Sequence, residues 1–210
     1  MEIYKNLIMV LENLSKVNSP YSYDEYRNLV IDNVQKGTTT GSEQLIERIE
    51  ATKINAQRMT RIEKQVEVKK EISAAVSKIT DKWEWIVIAE SWCGDAAQNI
   101  PIIAKIANLS PNINFKIVLR DQNLELMDAY LTNGARSIPK LICFDAASKE
   151  EIGIWGSRPV KIQQMVIDFK KQNVGYTHDE LVKNIHLWYA KDKGEALQSE
   201  FLELLKKWTV

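Results

Sequence analysis

The segment Trp92-Cys93-Gly94-Asp95-Ala96 constrains this chain more than any other, because it joins an apolar run to the start of a helix. The run from Trp85 to Ala89 is short and continuous, as expected for a strand that is buried on both faces. After the segment, apolar residues recur at helical spacing at Ile100, Ile103, Ala104 and Ala107. The sequence therefore predicts a cysteine at the N-terminus of a helix that follows a buried strand.

Further elements follow in an order that indicates a mixed sheet. Residues 113–119 alternate apolar and polar, which is strand periodicity, and the strand–helix–strand unit implies parallel pairing with a right-handed crossover. A helix is predicted from about Leu124 to Leu131, and Leu141–Phe144 with Ile152–Trp155 predict an antiparallel hairpin. A last helix starts near Pro159. The predicted order is β-α-β-α-β-β-α.

The flanks of this unit are predicted to be helical. The first helix carries Ile3, Leu7, Leu11 and Leu14, the second stops near Gly37, and Ser42 is the expected N-cap of a long third helix. At the other end, Thr177 to Glu180 fits a capping box. We expect an N-terminal helical extension packed on the core (residues 1–66), a central domain (67–173) and a C-terminal helical extension (174–210). The apolar stripes of the last two helices predict packing on the central domain, with a homodimer interface as the alternative.

Composition excludes several classes of function. Twenty-eight basic and twenty-eight acidic residues cancel, and no basic cluster predicts nucleic-acid or membrane-surface binding. The N-terminus lacks the pattern of a signal peptide, and two cysteines in 210 residues do not indicate a disulfide scaffold. The expected location is cytoplasmic, with reduced thiols. Since His178 and His186 form no cluster with the cysteines, no metal or other cofactor is predicted.

Residues of about 67–173 resemble the thioredoxin superfamily at five places that occur in the family's order and spacing. These are Trp92-Cys93-Gly94, Pro101, Asp121-Gln122-Asn123, Ser137-Ile138-Pro139 and Gly156. The resemblance implies an α/β thioredoxin-like fold, with a central mixed sheet of about four strands flanked by helices and with added N- and C-terminal helices. The flanks are similar to those of uncharacterised bacterial thioredoxin-like proteins.

The resemblance makes Cys93 the catalytic candidate, with Trp92, Gly94, Asp95, Ala96 and Pro139 shaping its site. Backbone N–H groups and the helix dipole favour a thiolate at a helix N-terminus, so we expect the pKa of an exposed Cys93 to lie below about 8.5. The alternative is an inert, buried thiol. The Asp95 carboxylate would oppose ionisation of the thiol while favouring the first helical turn, or would serve only as a helix-start acid.

The second cysteine of the thioredoxin motif is replaced by Ala96, so no adjacent thiol can resolve a mixed disulfide. Cys143 lies four residues beyond Pro139 along a strand, roughly 13 Å away, whereas a disulfide needs Cα atoms within about 7 Å. Cys143 is therefore predicted to be a core residue. Val87 occupies the place of the family's buried acid, so both parts of the resolving step are missing.

The resemblance also implies that the Ile138–Pro139 bond is cis and that the Ile138 backbone can bind an extended peptide or a thiol ligand beside Cys93. The alternative is a turn proline without a ligand. Lys140 follows directly and would either attract a carboxylate of a low-molecular-weight thiol or remain solvated.

Three functions remain open from the sequence. The first is monothiol thiol–disulfide exchange, in which Cys93 forms mixed disulfides with a protein or a low-molecular-weight thiol and an external thiol resolves them. The second is a redox-inactive binding or scaffold module that uses only the fold. The third is iron–sulfur carriage by one thiolate per subunit together with a small thiol.

Overall fold

The computed structural model describes residues 17–209, and a four-stranded mixed sheet forms the centre of this part of the chain. The strands are β1 (Trp83–Ala89), β2 (Ile113–Leu119), β3 (Lys140–Asp145) and β4 (Glu151–Gly156), in the spatial order β2-β1-β3-β4. β1 pairs parallel with β2 and antiparallel with β3, and β4 pairs antiparallel with β3. The predicted α/β class and the predicted parallel and hairpin pairings are confirmed.

Eight α-helices accompany the sheet within residues 17–209. They are α1 (Tyr23–Lys36), α2 (Ile46–Gln65), α3 (Lys70–Val76), α4 (Gly94–Ala107), α5 (Leu124–Ala129), α6 (Val160–Gln172), α7 (His178–Asp192) and α8 (Glu195–Trp208), with a 3₁₀ turn at Arg120–Gln122. The predicted central order is therefore observed as β1-α4-β2-α5-β3-β4-α6. Within the same residues, no helix is both long enough and apolar enough to cross a bilayer.

Some predicted helix ends differ from the observed ones. Ser42 is not an N-cap, because α2 starts at Ile46 after Leu45, which makes no capping hydrogen bond through its side chain. The residues before α2 instead form a local turn, in which the Gln44 side chain accepts the N–H of Thr39 at 3.0 Å. α5 ends at Ala129, two residues before the predicted Leu131. The capping box at Thr177 is confirmed, and the helix predicted from Ile3 to Leu14 lies outside the described residues.

α8 packs its aromatic side chains on the sheet. The ring of Trp85, which is fully buried in β1, lies 5.8 Å from Phe201 and 6.2 Å from Trp208 in edge-to-face geometry. Gly153 in β4 lies directly beneath the Trp208 indole, and a Cβ at that position would overlap the ring. α8 therefore packs on the central sheet.

The segment before α1 and helix α2 both contact the central domain. Tyr21 and Ile117 exchange two backbone hydrogen bonds of 2.8 Å, which attaches the segment before α1 to the outer edge of β2. Met59 and Ile62 of α2 are buried in the core. From α4, Lys105 Nζ donates to backbone carbonyls at the end of α2 and just beyond it, at 2.7 and 2.6 Å. α2 is thereby fixed along α4, the helix that follows Cys93.

Gly156 closes β4 against the Ile138–Pro139 turn. It has φ +122°, and a Cβ there would overlap the backbone carbonyl oxygen of Pro139 and lie 3.2 Å from Lys140 Cα. Both neighbours are main-chain atoms, which cannot move without displacing the turn. Gly156 therefore permits the close approach of β4 to this turn.

We expect Gly156→Ala to destabilise the protein by about 2 kcal/mol or more, since it adds backbone overlap to an unfavourable φ. Gly134→Ala is the matched control, because Gly134 also has positive φ (+76°) but has no atom within 4 Å of the added Cβ. That control should cost about 1 kcal/mol. Chemical denaturation of the three proteins measures the difference. Equal losses in the two variants would contradict the role assigned to Gly156.

Candidate functional site

Cys93 is the N-cap residue of α4. Its sulfur accepts the N–H of Ala96 at 3.4 Å, and its thiol donates to the carbonyl oxygen of Ile138 at 3.3 Å. The backbone N–H of Cys93 donates to the Glu90 carbonyl at 3.1 Å, which forms the tight turn between β1 and α4. The sulfur is thus held between the first turn of a helix and the Ile138 backbone.

The Ile138–Pro139 peptide bond is cis, and it leads into β3 beside the Cys93 turn. Ile138 is 7% exposed, and its carbonyl oxygen accepts the hydrogen bond from the Cys93 thiol. Ala96 is 1% exposed and presents only a methyl group where a second thiol would stand. The structure therefore brings Cys93, Ala96, Ile138 and Pro139 together, with one sulfur among them.

The expectation of an exposed Cys93 with a lowered pKa is wrong. Cys93 is 8% exposed, and burial, followed by the negative charge of Asp95, raises its pKa to about 12. Hydrogen bonds from the N–H groups of Ala96 and Asp95, and the positive charge of Arg158, act in the opposite direction. Burial destabilises the thiolate by more than the helix N-terminus stabilises it. In this conformation Cys93 is a protonated thiol at neutral pH.

Asp95 is a buried carboxylate with partners from two distant parts of the chain. Its Oδ1 accepts from the Tyr189 hydroxyl at 2.7 Å, and its Oδ2 accepts from Arg158 Nη2 at 2.5 Å. Asn99, one turn along α4, donates to both the Asp95 carbonyl oxygen (2.7 Å) and the Tyr189 hydroxyl (2.9 Å). Burial raises the pKa of Asp95, and the Arg158 charge opposes that effect. Asp95 is therefore more than a helix-start acid, because it joins α4 to α7 and to the loop after β4.

α7 also covers the residue between Cys93 and Asp95. A Cβ at Gly94 would lie 3.0 Å from His186 Cε1 and 3.6 Å from Arg58 Nη1. Burial, and then the charge of Arg58, lower the pKa of His186 from 6.5 to about 4, so the imidazole is neutral at pH 7. The sequence places His186 and Tyr189 on one amphipathic helix, but it does not show that this helix lies over the Cys93 turn.

The residues before Cys93 are held by the N-terminal part of the chain. Ser91 N–H donates to Thr40 Oγ1 at 2.8 Å, and Thr40 N–H donates to Ser91 Oγ at 3.1 Å. Asn55 of α2 donates to the Ser91 carbonyl oxygen at 2.8 Å, and its own side-chain oxygen accepts from Arg58 at 2.8 Å. These buried bonds fix the direction from which the chain enters the Cys93 turn.

The Trp92 ring contacts two arginines. The guanidinium groups of Arg48 and Arg120 lie 4.5 and 4.8 Å from its ring, within cation–π distance. Each arginine is also paired with a carboxylate, Glu43 for Arg48 and Asp121 for Arg120, both at 2.8 Å. The ring is therefore fixed beside the cysteine.

A buried acid is present near the site, though not at position 87. Val87 is fully buried in β1, as the sequence requires, while Glu90 directly after β1 is also fully buried. One oxygen of Glu90 accepts the Asp121 N–H at 2.9 Å, and burial raises the pKa of the carboxyl. Sequence comparison with the family's pattern misses Glu90, because it is displaced by three residues along the chain.

Two other candidates have structural roles. Lys140 is 3% exposed, and its Nζ donates to the Thr132 hydroxyl at 2.6 Å, so it is not a solvated side chain. Cys143 is fully buried and pairs with Trp85 towards the far end of β1 from Cys93. Both cysteines are free thiols, and the prediction that Cys143 is a core residue is confirmed. Within residues 17–209, no group of three or more His, Cys, Asp or Glu side chains comes together as a metal site.

Comparison with known proteins gives the family. A family model described as thioredoxin matches residues 43–170, which is more than half of the chain. The chain belongs to the thioredoxin family. Among solved structures, a protein of unknown function from Pseudomonas aeruginosa is 18% identical with a TM-score of 0.52. An HIV epitope-scaffold is 16% identical with a TM-score of 0.50.

Each of these two comparisons covers 89% of this chain and 98% of the other chain, and at such low identity both show the fold alone. The comparison with curated proteins finds no match. The family assignment therefore establishes a thioredoxin-like domain, while the chemistry has to be argued from the site itself.

Asp95→Asn should make Cys93 more reactive, because it removes the negative charge that opposes thiolate formation. At a fixed pH below 9 we expect alkylation by iodoacetamide to be about tenfold faster than in the wild type. Asp128→Asn is the matched control, since Asp128 also pairs with an arginine, Arg136, but on the surface and away from Cys93. Mass spectrometry of the modified Cys93 peptide gives the rate. An unchanged rate in Asp95→Asn would show that the carboxylate does not act on the thiol.

His186 should make stability fall on acidification. Its pKa is lower in the folded than in the unfolded chain, so its contribution is fully present above pH 6.5 and is lost as pH falls towards about 4. In this window the unfolded chain binds a proton that the folded chain does not. His186→Gln should therefore lose less unfolding free energy than the wild type between pH 6.5 and 4.5, as measured by urea denaturation. Parallel pH profiles would contradict this assignment.

Proposed function

We propose that this thioredoxin-family protein carries out monothiol thiol–disulfide exchange through Cys93. The supporting observation is the placement of one sulfur at the N-cap of α4, beside the cis Ile138–Pro139 bond. Ala96 replaces the resolving cysteine, and Cys143 remains in the core. The site thus has the means to form a mixed disulfide and lacks an internal thiol to break it.

The reaction balances without a further redox group. The Cys93 thiol loses its proton, and the thiolate attacks one sulfur of a disulfide RS–SR′. A Cys93–S–S–R bond forms, the RS–SR′ bond breaks, and R′S⁻ leaves and takes up a proton. An external thiol then attacks the mixed disulfide and restores Cys93. A supply of reduced small thiols is part of this proposal and agrees with a cytoplasmic location.

We expect purified protein to form a one-to-one mixed disulfide with a small disulfide, visible by mass spectrometry as adduct on Cys93 and reversed by added thiol. Insulin reduction with thioredoxin reductase should stay at background, because the adduct is not resolved internally. Ala96→Cys should stop the adduct with the small disulfide from accumulating, since the introduced thiol would lie in the first turn of α4 beside Cys93, displace the small thiol and form an internal disulfide. Wild-type turnover comparable to that of a dithiol thioredoxin would contradict the proposal.

A second candidate function is a redox-inactive scaffold, and the burial and raised pKa of Cys93 favour it. The sulfur would then be a buried cap of α4, and the fold would serve a partner. Cys93→Ser separates the two functions, because the serine hydroxyl can also accept a helix N–H bond. If Cys93→Ser forms no mixed disulfide and has the same unfolding free energy as the wild type, exchange chemistry is supported. A wild-type thiol that forms no adduct even above pH 10 supports the scaffold.

A further inference from the structure

α7 occupies the space immediately in front of the Cys93 turn. His186 lies against Gly94, and Tyr189 is bonded to Asp95, so α7 contacts both residues that follow the cysteine. Arg158 approaches the same carboxylate from the loop after β4. Cys93, which caps the same helix, is itself only 8% exposed.

The attachment of α7 to this site depends on few residues. Of the fifteen residues of α7, only Leu181 and Tyr189 are buried. The Tyr189 hydroxyl bonds to Asp95 and accepts from Asn99, and both of these partners belong to α4. Tyr189 therefore ties α7 directly to the helix that carries Cys93, and Leu181 lies two turns away from it.

We propose that α7 is a size filter, held by Tyr189, which admits small disulfides to Cys93 and excludes disulfides carried by proteins. This inference rests on the proposed exchange function and names its substrate class. Tyr189 is a positioning residue here, since it acts through the placement of α7 and does not touch the sulfur.

The geometry explains why size decides access. A protein substrate has to lay an extended segment along the backbone next to the cis proline, as in strand addition. Ile138, which precedes the cis proline, is only 7% exposed, and the neighbouring space at Gly94 is filled by His186. A small disulfide has to reach only one sulfur atom and needs no such segment. α7 therefore obstructs the large partner more than the small one.

The test compares two disulfides that have the same leaving group. One is a pyridyl disulfide of a small thiol such as cysteamine, and the other is the same pyridyl disulfide on a surface cysteine of a folded carrier protein. Cys93 attacks the carrier sulfur, the S–S bond to the pyridine breaks, and the released thiopyridine is followed by absorbance. Both rates are measured on the full chain with Cys143→Ala, so that Cys93 is the remaining thiol. Both are measured at one pH, so that the thiolate fraction of Cys93 cancels in their ratio.

In the chain that carries only Cys143→Ala, the small disulfide should react faster than the protein disulfide. The ratio of these two rates should exceed the same ratio for a free cysteine peptide by about tenfold or more, and this factor is the excess. Tyr189→Phe should reduce this excess about fivefold or more, because it removes a hydrogen bond to a buried charged group. His186→Ala, which opens the space at Gly94 by another route, should reduce it as well. Tyr176→Phe is the matched control, since Tyr176 packs on Phe169 before α7 and should leave the ratio unchanged.

The outcomes separate the two proposals. No reaction of Cys93 with the small disulfide would overturn both the exchange function and the filter. A wild-type ratio equal to that of the free peptide would overturn the filter and leave the exchange function intact. An excess that persists in both Tyr189→Phe and His186→Ala, with both variants folded by circular dichroism, would also overturn the filter.

Discussion

The carboxylate of Asp95 is the contact on which the arrangement of this site depends. It lies two residues after the cysteine, in the first turn of α4, where an acid stabilises the helix. Its two oxygens are bound by Tyr189 of α7 and by Arg158 of the loop after β4. Three parts of the chain that are separate in sequence thus meet on one side chain. The same charge opposes the ionisation of Cys93 and adds to the larger effect of burial.

The competition at Cys93 shows how local and tertiary effects combine. A helix N-terminus favours a thiolate wherever it occurs, and the bond from Ala96 N–H to the sulfur shows that this effect is present here. Burial removes the water that would stabilise the charge, and this larger effect raises the pKa to about 12. An N-cap position is therefore not sufficient for a reactive cysteine. The burial of the sulfur, and not its position at the helix N-terminus, decides the outcome.

The sequence predicts the central fold well, because that part is encoded locally. The apolar run of β1, the alternation in β2 and the hairpin of β3 and β4 each carry their own periodicity, and the observed pairings follow from it. The resemblance to the family also points to Cys93, Ala96 and Pro139, which the structure brings close together. What the sequence does not show is contact between distant segments. His186 reads as one residue of an amphipathic helix, and only the packing of α7 on α4 places it at Gly94. Ser42 is not an N-cap because the residues before α2 form a local turn, and Lys140 is not solvated because tertiary packing buries it.

The loss of the resolving cysteine and the presence of a cover over Cys93 have linked chemical consequences. In a dithiol site, the second thiol breaks the mixed disulfide from within, so the first adduct is short-lived and an open surface is sufficient. With Ala96 at that place, an adduct on Cys93 persists until an external thiol reaches the same sulfur. Any obstruction by α7 then acts twice, once on the disulfide that enters and once on the thiol that releases it. Because both steps pass the same helix, α7 slows the release of an adduct as well as its formation.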